Sequence, residues 1–393
     1  MNYQSQPMST MKKKLIRITT VPLSLGGLLE GQMRFMSKYY DVLGVSSEGS
    51  NNELSMVSEL EDVPVFPIKM TRKITPFKDL YALWQLYKLF KKEAPFIIHS
   101  HTPKAGTVSM LAAKLAGVPH RLHTIAGLPL VEATGLKRRL LNVVEKITYK
   151  CATKIYPNSF GLVDIILENN FTNKNKLKVI ANGSSNGIDI EKFNPNKFND
   201  SAKKSALKES LNIKENDFVF LFVGRLVSDK GVNELINAFN KIENVFKNVK
   251  LLLVGGYETE LDPLNEDTLS IIKTNTNISN TGWVNDVRPY FSISNVLAFP
   301  SYREGFPNVV MQAGAMGLPS IVTNINGCNE IIIEGENGTI IPVKDSNTLH
   351  DKMCLILEKK MNYGPETCRE LIASRYKRQI IWDELLNEYK NLK

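Results

Sequence analysis

Short apolar runs alternate with longer stretches of helical spacing along almost the whole chain. In the first half, residues 15–19, 42–45, 96–100, 121–124, 154–156 and 178–180 read as strands; in the second, residues 218–223, 250–254, 296–299 and 320–323 do so. Between them, positions such as Val232, Leu235, Ile236, Phe239, Ile242 and Phe246 recur mostly at intervals of three and four, which places them on one face of a helix. Regular alternation of strand and helix implies parallel sheets covered by helices on both faces. Such sheets bind ligands beyond the carboxyl ends of their strands.

At 393 residues the chain exceeds what one core usually holds, so two such sheets in tandem are expected, with a cleft between them. The polar run 193–205, rich in Asn, Lys and Pro, is the expected join, with a first domain at 1–195 and a second at 205–372. The last helical stretch, within 375–393, is placed to pack back on the first domain. No repeat of solenoid length and no sustained low-complexity segment interrupts this plan.

Composition narrows the class without changing the plan. Hydrophobic content of 43% and charged content of 23% are those of an ordinary globular protein. No apolar run approaches the roughly 20 residues that span a bilayer. Residues 1–10 are polar and Lys12-Lys13-Lys14 precede only a short apolar strand, so no signal peptide is expected. Cys151, Cys328, Cys354 and Cys368 have no metal-like spacing, which fits unpaired thiols in a reducing cytoplasm.

Charge is distributed unevenly. Residues 1–200 carry 27 Lys+Arg against 16 Asp+Glu, whereas the remainder carries 22 against 24. A basic half suits nucleic acid, anionic lipid headgroups or a phosphorylated acceptor. Zinc-finger spacing, a basic leucine zipper and an RNA-binding aromatic signature are all missing, so nucleic acid is set aside. The aromatic and basic run 81–92 and the cluster Lys137-Arg138-Arg139 could rest on a membrane surface; alternatively the run is a core-packed helix with a solvated cationic end.

Two segments carry candidate chemistry. After the apolar run 296–299 comes a polar turn with Glu304 and Gly305; Pro307 then opens a helix of about 307–316 that Gly317 closes. Free amides at a helix start suit a phosphate. A carboxylate so near such a site, Glu304, must face something else, such as sugar hydroxyls. Gln312 lies one turn after Asn308, on the same face. Read alone, the segment is also an ordinary strand-turn-helix with a solvated Glu.

The second segment, Gly224-Arg225 through Lys230-Gly231, follows the first strand of the second domain. Gly224 lets the backbone approach a ligand closely. Arg225 offers a planar fork for two phosphate oxygens and Lys230 a mobile point charge, so the two can clamp a diphosphate from two sides. The competing reading is a surface loop in which Asp229 starts a helix.

Gly224-Arg225 with Lys230, followed some eighty residues later by Glu304-Gly305-Phe306 and a helix, resembles the retaining glycosyltransferases of family 4, which have the GT-B fold. The resemblance extends through Gly26-Gly27, His99-Ser100-His101-Thr102, Asn186-Gly187-Ile188-Asp189 and Gly282-Trp283-Val284-Asn285-Asp286. Residues 300–310 and Asn182-Gly183-Ser184 are similar to members that build bacterial surface polysaccharides on a lipid carrier.

The resemblance implies an α/β, GT-B protein of two Rossmann-like parallel-sheet domains facing across a cleft. The first domain binds an acceptor and the second a nucleotide sugar. Arg225 and Lys230 would hold the diphosphate and offset leaving-group charge. Glu304 would bind sugar hydroxyls; Gly305, Phe306 and Pro307, with Asn308 at the helix start, would shape the donor loop; Trp283 and Val284 would border the base. Gly26 and Gly27 would form a tight turn open to a phosphate, or are simply a loop glycine pair. His101 would donate to the acceptor, or is a structural residue at a strand end. Glu330 would orient Arg225 or Lys230, or is a solvated acid. His99 and His101 have no acidic partner nearby, so neither a metal nor another cofactor is expected, the nucleotide sugar being a substrate.

Two positions depart from the family pattern. Gln312 stands where a second Glu usually binds ribose hydroxyls; it keeps an acceptor oxygen and adds a donor, but loses the charge. Ala126 stands where many relatives place a histidine near the donor sugar. His123, three residues earlier, either fills that role or is a strand-end histidine.

The resulting expectation is a retaining, metal-independent hexosyl- or N-acetylhexosaminyl-transferase. It would use a UDP-linked or similar donor and a polyprenyl-diphosphate-linked glycan acceptor in capsule, O-antigen or exopolysaccharide synthesis. Its place would be the cytoplasm, at the inner face of the membrane, where an anionic surface attracts the basic half. The alternatives are a nucleotide-sugar epimerase on the same scaffold and a non-catalytic nucleotide-sugar-binding protein.

Overall fold

A computed structural model of the protein describes residues 12–71, 75–128, 130, 133–258 and 262–393. The polar stretch 1–10 lies outside them. The chain divides into two compact units: Met1–Asn158, Leu162–Ile180 and Trp382–Lys393 form the first, and Ser159–Gly161 with Ala181–Ile381 the second.

The first unit is built on β1 (Lys14–Ile18), β2 (Asp41–Ser46), β3 (Val65–Pro67), β4 (Ile97–Ser100), β5 (His120–Ile125) and β6 (Lys154–Pro157). Its order is β3-β2-β1-β4-β5-β6, with every pairing parallel. The second is built on β7 (Phe218–Val223), β8 (Val249–Val254), β9 (Ile278–Asn280), β10 (Val296–Phe299), β11 (Ser320–Thr323) and β12 (Gly338–Ile341). Its order, β12-β11-β10-β7-β8-β9, is the same arrangement. Each sheet therefore reverses its direction of winding beside its first strand, between β1 and β4 and between β7 and β10. In open α/β sheets that switch point is where ligands bind.

Continuous apolar strands are what two-sided helical cover requires. Phe220, Leu221 and Phe222 of β7 and Leu251, Leu252 and Leu253 of β8 are fully buried. The helix Val232–Ile242 buries Leu235, Ile236, Phe239 and Ile242, the face its periodicity predicts.

Several expected boundaries move. Residues 178–180 are not a strand: Lys178 N–H bonds the Ile155 carbonyl, but pairing to β6 stops at one bridge, Ile155 to Leu177. Short β3, β9 and β12 were not anticipated. Pro64 before β3 and Pro67 at its end obscure a strand that, at the sheet edge, can tolerate them. The main segment of the second unit begins at Ala181, so the run 193–205 lies inside it rather than between the units. Burial explains this: Ile188 and Phe193 belong to the second core, and Arg369 donates to the carbonyls of Phe193 and Ile190. The terminal stretch is two helices, Pro365–Tyr376 and Arg378–Lys390, and residues 382–393 of it belong to the first unit.

Candidate active site

The loops after β7 and β10 meet at the switch point of the second sheet. After β7 the chain forms a single 3-10 turn, Ser228–Lys230, and Gly231 at φ +69° leads into the helix Val232–Ile242. A Cβ on Gly231 would lie 2.0 Å from the Pro300 carbonyl oxygen, so glycine alone lets this turn rest on the end of β10. Further bonds tie the loops together: Tyr302 N–H donates to the Asp229 carbonyl at 2.9 Å, and Arg303 Nη2 to Asp229 Oδ2 at 2.8 Å. Asp229 thus fixes the opposite loop instead of starting a helix.

This join places Lys230 Nζ 2.5 Å from Glu304 Oε1, each side chain 17% exposed. Ser301 Oγ lies 3.0 Å from the same oxygen, and Asn326 Nδ2 donates to the Glu304 carbonyl. Glu304 is therefore held by its own loop, by Lys230 and by the loop after β11. The pair is partly buried yet open to solvent, and its two groups suit the diphosphate and the hydroxyls of a ligand.

Three glycines shape the neighbouring edge. Gly224 has φ +154° and Gly255 φ +149°, and a Cβ on Gly255 would fall 1.8 Å from the Gly224 carbonyl oxygen. Gly255 bridges to Gly282. The ends of β7, β8 and β9 thus converge as bare backbone. Arg225, 54% exposed, pairs there with Glu258. Trp283, 76% exposed, stands next to this edge, while Val284 packs on the core.

The helix after β10 is Asn308–Ala315, with Pro307 at its N-cap. Asn308 is exposed and Gln312 half-buried. Phe306 points inward, 5.3 Å from the Tyr376 ring, so only its backbone and that of Gly305 can line the loop. Glu330 does not orient Arg225 or Lys230. Its carboxylate accepts from the amides of Phe160 at 2.8 Å, Gly161 at 3.0 Å and Gly327 at 3.3 Å. Gly327 itself comes so close to Gly305 that a Cβ would lie 2.6 Å from that carbonyl oxygen.

In the first unit Gly26 and Gly27 are not a turn. Both lie inside the helix Pro22–Leu28. Gly26 presses on Val57, whose Cγ2 would be 2.8 Å from an added Cβ, and Gly27 faces open space. His101 is 2% exposed; Arg17 Nε donates to its Nε2 at 3.1 Å, and Arg17 also reaches Gln32. His99 bonds Tyr389 through Nδ1 and Thr124 through Nε2. His123, within β5 and 3% exposed, bonds Ser100 Oγ at 2.9 Å and is backed by Gly106, where any Cβ would overlap the ring. Burial holds His99 and His101 well below the usual histidine range and His123 down at about 4. These three rings are neutral members of a buried network.

Sequence reasoning missed Ser301, Asp229 as a brace, Glu258 and Asn326. A polar residue following a strand end was the available signal, but the partners of Asn326, Glu258 and Asp229, 22 to 74 positions away, are set only by folding. No group of three or more His, Cys, Asp or Glu among the described residues could hold a metal ion.

Residues 203–378 match the family model of Glycosyl transferases group 1, and residues 40–183 that of a Glycosyl transferase 4-like domain. The chain is 36% identical to the capsular polysaccharide biosynthesis glycosyltransferase CapM of Staphylococcus aureus, over 96% of this chain and 97% of that protein. It is 30% identical to the UDP-Gal:alpha-D-GlcNAc-diphosphoundecaprenol alpha-1,3-galactosyltransferase of Escherichia coli, over 93% and 95% of the two chains. Among solved structures, Anabaena Alr3699/HepE in complex with UDP-glucose matches with a TM-score of 0.77 at 18% identity, over 97% of this chain and 100% of that one. The two parallel sheets thus make up a GT-B fold. The chain belongs to the group 1 family of glycosyltransferases.

Proposed function

We propose that this glycosyltransferase moves a hexosyl or N-acetylhexosaminyl group from a UDP-linked donor to a hydroxyl of a polyprenyl-diphosphate-linked glycan. The setting is the assembly of a bacterial surface polysaccharide at the inner face of the cytoplasmic membrane. The observation that carries the reading is the Lys230–Glu304 pair at the switch point of the second sheet, with Arg225 in the same loop just after β7. The Escherichia coli relative is named for UDP-Gal and a diphosphoundecaprenol-linked acceptor, and the Staphylococcus aureus relative for capsular polysaccharide.

In this mechanism Arg225 leaves Glu258 and, with Lys230, takes the donor diphosphate, while Glu304 accepts hydrogen bonds from sugar hydroxyls. The C1–O bond to the diphosphate breaks as the acceptor oxygen approaches the same face of C1. The acceptor proton passes to the departing phosphate oxygen, and the anomeric configuration is retained. These two cations supply the leaving-group stabilisation that a divalent metal gives elsewhere, so the reaction proceeds without one. Gln312 bonds the ribose with one acceptor oxygen and one donor, and Trp283 borders the base.

The test is a transfer assay with a panel of UDP sugars and a lipid-linked glycan in detergent, with and without a chelator. Acceptor-dependent UDP release and a product whose anomeric proton matches the donor configuration are expected. An inverted product, or loss of turnover on chelation, overturns the mechanism; donor consumption without acceptor overturns the transferase reading.

A further inference from the structure

Two helices of the first unit expose their large apolar side chains in rows. The helix Gly135–Cys151 presents Leu136 (82% exposed), Leu140 (49%), Val143 (53%) and Ile147 (43%). Steps of four, three and four place them along one side. Exposed Lys137, Arg139, Lys146 and Lys150 flank that row, while Thr148, Tyr149 and Cys151 turn inward. Thr148 Oγ1 bonds Thr107 Oγ1 of the helix Pro103–Ala116, which packs on both exposed helices.

The other helix, Pro76–Glu93, presents Phe77 (91% exposed), Leu80 (65%), Tyr81 (56%) and Trp84 (47%), with Leu115 of the middle helix (60%) beside them. Its inner face, Ala82, Leu86, Leu89 and Phe90, fills the core, so the row is surplus to folding. Tyr81 stacks on Trp84, and Lys88 Nζ sits 3.7 Å above the Trp84 ring. Exposed Lys91 and Lys92 continue this side. No exposed residue of either helix is acidic.

We propose that these rows dock the first unit on an anionic lipid bilayer. The apolar rows enter the boundary between headgroups and acyl chains, Tyr81 and Trp84 sit at headgroup depth, and the lysines and arginines meet lipid phosphates. Charge selects this occupant over a second copy of the chain, because a symmetric pairing through this face would set cation against cation. The inference takes the lipid-linked acceptor from the reading above, but binding to vesicles needs neither donor nor acceptor, so the two fail separately.

The test is flotation of the full chain with phosphatidylcholine vesicles, with and without phosphatidylglycerol. Two variants accompany it, Leu140→Asp with Val143→Asp and Phe77→Asp with Trp84→Asp, each checked by melting temperature. Binding to the anionic vesicles, at least tenfold stronger than to neutral ones and weakened between about 0.1 M and about 1 M salt, is expected. Each variant pair should lose at least tenfold of it while melting as the unsubstituted chain does and transferring sugar normally to a soluble acceptor glycan. Undiminished binding by both variants, no binding by the unsubstituted chain, or a dimer that the variants dissociate overturns the proposal.

Discussion

At the carboxyl edge of the second sheet, charge is paired and reachable: Lys230 with Glu304, Arg225 with Glu258, Arg303 with Asp229. At the same edge of the first sheet, polarity is buried: the neutral rings of His99, His101 and His123 bond Tyr389, Thr124, the buried cation Arg17 and Ser100 out of solvent. One strand order serves both edges. The difference teaches that the sheet only supplies the location, while the loop residues decide whether it is built for a charged ligand or for rigidity.

The comparison breaks most visibly at Lys230. Lys230→Ala should lower turnover by about 10²- to 10³-fold with little loss of melting temperature; normal turnover would remove the charge-clamp role from the second edge. Gly231→Ala comes next, since its Cβ must enter the Pro300 carbonyl. It should weaken donor binding at least tenfold and cost more than about 1 kcal/mol of stability by denaturant titration. Unchanged affinity would mean that the two loops need not touch.

Acid should act on the first unit in preference to the second. Each buried histidine titrates lower when folded than the 6.5 of the free side chain, so the unfolded chain binds more protons in between. Their contribution to stability is complete above about pH 6.5 and is lost as pH falls, for His123 down to about 4. Amide exchange at pH 5 should therefore show β4 and β5 opening before β7 and β10; the reverse order would contradict the contrast. Tyr389→Phe should cost about 1–3 kcal/mol by leaving His99 Nδ1 unpaired. The smallest effect is expected from Gln312→Glu: donor KM falls a few-fold with kcat unchanged, because a second carboxylate can hold both ribose hydroxyls. An equal fall in kcat would place that residue nearer the reacting atoms.

Much of the edge where β7 and β10 end was legible because its signals are local. Gly224, Gly231 and Pro307 mark turns that the backbone must make, and β7 and β10 read directly from unbroken apolar runs. What stayed hidden depends on distant partners. Gly26-Gly27 has the composition of a turn but lies in a helix, where Val57 takes the space a side chain on Gly26 would need. Glu330 lacks any local sign that it binds the amides of Phe160 and Gly161. The row Phe77, Leu80, Tyr81 and Trp84 shares its helix with a true core face, and periodicity alone does not say which side is covered.

The contribution of residues 382–393 to the first unit has a consequence for synthesis. Trp382 packs on Phe35 with ring centroids 5.2 Å apart, Lys178 pairs with Glu388, and Tyr389 closes the bond to His99. A ribosome makes all of the second unit before it reaches these residues. At about 5–20 residues per second, the roughly 200 residues in between take on the order of 10–40 s. Throughout that interval the nascent first unit has an unfilled seam beside β1 and β4, a natural point of engagement for chaperones, and shortening the chain's end would make that temporary state permanent.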